Sequence, residues 1–135
     1  MTVGYSGTPL SKKLGIEAGS RLLVIGSPSA YAAIVSDLPA GVRLVSRAGP
    51  TVDLAHLFST RRADLEQRLL RLRVSLRPDA TIWVSWPKKA SKVSTDITED
   101  VIRDVALPMG FVDVKVCAVT EVWSGLKLVV RKELR

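Results

Sequence analysis

The sequence predicts an α/β fold: a three-layer, Rossmann-like sandwich of about six strands, mostly parallel and closed by a C-terminal antiparallel hairpin. Three observations carry that expectation. Short, continuous apolar runs such as RLLVIG (21–26) and TIWVSWP (81–87) have the pattern of strands buried on both faces. Helical periods separate them, most clearly Leu65, Leu69, Leu72 and Leu76 on one stripe. Two long apolar stretches, 112–119 and 126–132, end the chain with only TEVWSG to join them, a link that favours an antiparallel pair. Strands alternating with helices before such a pair describe a parallel sheet covered on both faces.

Residues 1–20, rich in Gly, Ser and Lys, read as an arm laid on a single domain spanning 21–135. After the first strand, Ser27 is placed to cap a helix through Tyr31, Ile34 and Val35, with Pro28 at its first position. A second strand is expected near 42–46 and a third over 51–58. Ser59 or Thr60 is the expected cap of the leucine-striped helix, which Arg77-Pro78-Asp79 ends. Asp96 with Glu99 resembles a capping box for a helix carrying Ile97, Val101, Ile102 and Val105, closed by Pro108 and Gly110.

Composition narrows the function classes. A chain of 135 residues, 47% hydrophobic and 24% charged, is long enough to bury a core without staples. No apolar run approaches the roughly 20 residues of a membrane span, and the N-terminus lacks the apolar region of a secretory signal, so a cytoplasmic protein with no membrane partner is expected. Cys117 stands alone, which excludes intrachain disulfides and cysteine-rich zinc sites. The net charge of +7 favours anionic partners and solubility alike.

The stretch LLRLRVSLRPDATIWVSWPK and the closing hairpin look like the helix–turn–strand and terminal pair of S-adenosylmethionine-dependent methyltransferases. Against that pattern the chain is short by a strand and helix between Ser46 and Thr51. GYSGTPLSKKLGI, SWPKKAS, TDITEDVIRDVALPMG, VDVKVCAV and WSGLKLVVR resemble the bacterial family labelled domain of unknown function 3052 over nearly the whole chain. That resemblance implies kinship, and the label supplies no activity to carry over.

In sheets of this kind the ligand crevice lies outside the carboxyl ends of the strands. Here that edge is expected to carry Ser27, Ser29, Arg47, Arg61, Arg62, Lys88 and Lys89, a set of cations and hydroxyls suited to an anionic ligand. The glycine-rich dinucleotide fingerprint is absent, since Gly26 is followed by Ser-Pro-Ser. The second strand ends in LVSR, with Arg47 where a ribose-holding carboxylate would stand. His56, the sole histidine, alternates with Leu54 and Phe58 and reads as a satisfied core residue. Asp53 shares the other face with Ala55 and Leu57, away from the crevice, and Cys117 reads as a small hydrophobe in a buried strand. No catalytic triad, metal cluster or P-loop is recognisable.

Helix 60–76 carries Arg61, Arg62, Arg68, Arg71 and Arg73 on both flanks of its leucine stripe, and Leu70 with Val74 on its outer side, the spacing of a partner or dimer contact. Trp83, Trp86 and Trp123 are candidates for base stacking, with Trp83 and Trp86 on opposite faces of one strand. These residues support a non-catalytic binding or regulatory module with a basic crevice for an anionic small molecule or protein partner, needing no cofactor. The alternatives are a divergent methyltransferase that binds S-adenosylmethionine and a nucleic-acid-binding protein.

Overall fold

The computed structural model describes residues 8–135. The first part of the expected arm, residues 1–7, with the opening GYSG phrase, lies outside the described residues. Six strands form one sheet: β1 (Arg21–Ile25), β2 (Arg43–Val45), β3 (Leu54–Phe58), β4 (Thr81–Pro87), β5 (Phe111–Ala118) and β6 (Trp123–Val130). Their spatial order is β2-β1-β3-β4-β6-β5. The first four are parallel, and β6 runs antiparallel to both β4 and β5.

Strand alternation sorts the core into two layers. Leu23, Ala55, Leu57, Ile82, Val84, Leu126 and Leu128 face α3 (Arg62–Ser75) and α4 (Glu99–Ala106). The leucine stripe of α3 is buried as its spacing predicts, with Leu65 and Leu69 fully enclosed. Leu22, Leu54, Phe58 and Trp83 face the opposite way, onto α1 (Leu10–Leu14) and α2 (Tyr31–Ile34). That layer is thin, built from helices of five and four residues. The Trp83 indole donates to the Leu14 carbonyl (2.8 Å), and the Ser11 hydroxyl to Asp37 (2.8 Å), so α1 is tied to the sheet and to the end of α2.

No regular element occupies 46–53. The return from β2 to β3 needs none: a three-residue strand rises only about 10 Å, well within the reach of eight extended residues. The sheet therefore ends at β2. At its other edge β5 is an exposed strand, not the buried one expected, and it carries a register shift between Asp113 and Lys115. Cys117 on it is half-buried, and burial pushes its thiol pKa up while Lys115 and Lys13 pull it down.

Three expected helix starts are corrected. The helix after β1 begins at Tyr31, not at Pro28, because the Ser27 hydroxyl is spent on the Ser29 carbonyl (2.5 Å) before the helix opens. Asp96 does not cap α4. The Thr98 hydroxyl does, accepting from Val101 N–H (3.2 Å), with Glu99 and Asp100 in the first turn where the helix dipole favours them. Asp96 instead accepts from Arg62 N–H (2.7 Å), capping α3 from 34 residues away in place of Ser59 or Thr60. Thr95 reinforces that stitch by donating to the Thr60 carbonyl (2.7 Å). Replacing Asp96 with Ala should lower stability by about 1 kcal/mol, the usual worth of such a cap, in urea unfolding. An unchanged midpoint would refute that role.

Candidate functional site

The strand order fixes where a ligand crevice falls. The chain leaves β1 for β2 on one side and reaches β3 on the other, so the topological switch lies between the carboxyl ends of β1 and β3. Gly26 sits there with φ +71°, and a Cβ on it would stand 2.6 Å from the Phe58 carbonyl oxygen. Only glycine lets the turn after β1 lie this close on the end of β3. Ser27, Pro28 and Ser29 follow it, with Pro28 and Ser29 exposed.

Around that turn the structure sets the predicted cations at different stations. Arg47 is exposed, two residues beyond β2. Arg61 is exposed at the start of α3. Lys88 follows β4, its N–H bonded to the Val122 carbonyl (2.7 Å) of the β5–β6 turn and its carbonyl to the Ser91 hydroxyl (2.6 Å). Lys89 begins the short 3₁₀ turn Lys89–Ser91, and Lys92 closes it with φ 60°. The β4–α4 loop is thereby pinned at Lys88 by the hairpin and at Thr95–Asp96 by the start of α3.

Arg61, Lys88 and Lys89 stand on the ends of neighbouring strands β3 and β4, whereas Arg47 follows the edge strand. Three inter-strand steps of about 4.8 Å separate β2 from β4, so Arg47 and Lys88 are about 14 Å apart at their strands. A single anion meets both only where the two side chains extend toward each other across β1 and β3. Among the described residues none of these four cations has an ion-pair partner. By contrast, Arg62, Arg68, Arg77 and Arg103 are each held by carboxylates: Glu66, Asp64, Asp53 with Asp79, and Glu99 with Asp100 and Asp113.

Beneath the switch lies a buried polar chain. The Tyr31 hydroxyl meets His56 Nδ1 at 2.6 Å, and His56 Nε2 meets Ser85 Oγ at 2.7 Å, joining α2, β3 and β4. His56 is fully buried, and desolvation pushes its pKa down to about 3. Burial, and then Cys117, push the Tyr31 phenol up. A neutral imidazole donates from one nitrogen and accepts at the other, which two rotatable hydroxyls satisfy. Phe58 stacks on His56 at 4.3 Å between centroids, and Tyr31 and Trp123 pack edge-on against Phe58.

The sequence predicts the satisfied histidine but not its partners, since only the register of β3 on β4, with His56 opposite Trp83, brings Ser85 two residues further along β4 within reach. Trp83 and Trp86 are buried, which removes them as stacking platforms; Trp123 alone of the three retains partial exposure. Asp53 lies at the opposite end of the sheet, where Arg21 N–H and then Arg77 hold its carboxyl below the usual range. The Trp86–Pro87 bond is trans.

No protein-family model matches the sequence, and no curated relative is found by sequence. Solved structures are similar. A SAM-dependent methyltransferase from Aquifex aeolicus superposes with a TM-score of 0.62 at 13% identity, over 90% of this chain and 87% of that one. Mitomycin 7-O-methyltransferase gives 0.64 at 12%, over 90% of this chain, which spans about half (53%) of that enzyme. The Methanococcus jannaschii fibrillarin, a pre-rRNA processing protein, gives 0.59 at 10%, over 94% and 70%. The chain has the methyltransferase-like form of the Rossmann-like α/β fold. At such identities the likeness defines the fold alone, and function has to be argued from the site.

S-adenosylmethionine, which that fold implies, fits the residues poorly. The space beside Gly26 is filled by the end of β3, Pro28 offers no N–H and the Ser27 hydroxyl is already engaged. The second strand leads to Ser46-Arg47, so no carboxylate stands there for the ribose hydroxyls. The ligand's sulfonium and ammonium groups outnumber its one carboxylate, and the cations of this edge oppose that net charge.

Proposed function

We propose that the chain is a binding module that keeps the methyltransferase-like frame and uses the carboxyl edge of its sheet for an extended anionic ligand, such as one bearing phosphates. The observation that carries this reading is the set of unpaired cations Arg61, Lys88 and Lys89 around the Gly26 turn, with Arg47 at the far end. The pinning of Lys88 on both sides supports it, because a loop already fixed loses less entropy on binding. Ser29 and Ser27 line the same turn. Arg47, at the far end, would join an extended ligand that crosses from β4 toward β2.

Calorimetric titration with adenosine diphosphate tests the reading. Saturable binding is expected, weakening as salt rises and by about tenfold or more when Lys88 and Lys89 are both replaced by Ala, as follows from losing two charge-assisted contacts. Binding indifferent to that double substitution would refute the site. A second reading, a divergent S-adenosylmethionine-dependent methyltransferase, is favoured by the fold and opposed by the charge of the edge.

A further inference from the structure

The outer face of α3 and α4 lies away from the strand-end cations and carries an apolar ridge beside an apolar groove. Val74 is 80% exposed and Leu70 56%, the two highest values for large hydrophobic side chains among the described residues. They are four residues apart on α3 and form one ridge. Next to it a groove of about 430 Å³ runs between the helices, floored by Leu70, Val105, Pro108 and Met109. Both ionisable side chains on its walls are acidic: Glu66, already paired with Arg62, and Asp104. Asp104 has no ion pair among the described residues, and neither does Arg71. At 100° per residue Arg71 projects beyond the ridge, on the side away from the groove. Asp104 and Arg71 thus stand on opposite sides of the ridge, while Arg73 on the groove side is engaged by the Met109 carbonyl (3.0 Å).

We propose that this face binds a second copy of the chain. A two-fold contact needs a self-complementary surface, in which whatever lies on one side of the axis meets its counterpart from the other side. With the axis along the ridge, Leu70 and Val74 of one protomer meet Leu70 and Val74 of its partner, and the groove of each faces the Arg71 side of the other. Asp104 of each then faces Arg71 of the other, so both unpaired charges gain a partner and the two valines leave water. Of the sheet edges, β2 has only three residues, and β5, although it exposes Val114 and Val116, is broken by its register shift and carries Lys115 between those two valines.

Sedimentation equilibrium across the micromolar range tests the pairing without reference to any ligand. The wild-type mass should rise with concentration toward twice the 14.7 kDa of the chain. Val74→Glu should hold the mass at that of one chain, with an unchanged circular dichroism spectrum and the thermal midpoint that the wild type shows at concentrations too low to dimerise, since an exposed helical position tolerates the charge. Asp104→Arg or Arg71→Asp alone should weaken dimerisation by about tenfold through like-charge opposition, and the two together should restore it. A single-chain mass at every concentration, or a dimer unaffected by Val74→Glu, would overturn the proposal.

Discussion

Stability is expected to fall by roughly 5 kcal/mol as the pH drops from 6.5 toward 3, through His56 alone. The sign follows from burial. The folded chain keeps the imidazole neutral to about pH 3, whereas the unfolded chain protonates it near 6.5. Between those values the unfolded state binds the extra proton, so its stability contribution is complete above 6.5 and is lost at about 1.4 kcal/mol per pH unit on acidification. Carboxylates held low in the fold, such as Asp53 and Asp113, add their own losses only as the pH falls below the ordinary carboxylate range. The window from pH 5 to 6.5 therefore belongs to the one histidine. Urea unfolding across it should show a decline of about 2 kcal/mol in the wild type. In His56→Gln, which keeps donors and acceptors for Tyr31 and Ser85 but cannot titrate, the same window should be flat. The single imidazole signal in the folded protein should not titrate above pH 5; a midpoint near 6.5 would contradict the buried network.

Gly26→Ala is expected to lose about 2–5 kcal/mol, from about 1–2 for a left-handed non-glycine residue and about 1–3 for overpacking. The obstruction is the Phe58 carbonyl oxygen 2.6 Å from the new Cβ, and backbone cannot rotate out of the way as a side chain would. Gly15 supplies the control: its φ is +76°, yet among the described residues nothing beyond its chain neighbours lies within 4 Å of the added Cβ. Gly15→Ala should therefore lose only the conformational part, about 1–2 kcal/mol. Equal losses at the two positions, read from chemical unfolding, would show that the β1 turn does not press on β3. A larger loss at Gly26 identifies the turn at the switch point as the tightest constraint on the crevice.

These two residues also mark how far the sequence alone can be read. Gly26 and His56 are legible by type and by alternation, because strand periodicity assigns a face without reference to any other strand. The leucine stripe of α3, the burial of β3 and the antiparallel end of the sheet are legible for the same local reason. Contacts that join distant segments are not. Asp96 looks like a cap for the helix that follows it, and folding gives it to Arg62, 34 residues earlier. Thr98, followed by two acids in the first turn, is the local signal that identifies the true cap of α4. The cations were legible as strand-end residues, but their spacing was not, since sequence order says nothing of β2 standing outside β1. The exposure of β5 is hidden likewise, because an apolar run reads the same in an edge strand as in a central one.

The most direct test of the proposed crevice is a pair of calorimetric titrations under identical low-salt conditions, one with adenosine diphosphate and one with S-adenosylmethionine. A cationic edge without a ribose carboxylate predicts saturable binding of the diphosphate, progressively weakened by salt, and no heat from S-adenosylmethionine. Saturable binding of S-adenosylmethionine with silence from the diphosphate would contradict it and favour the methyltransferase reading.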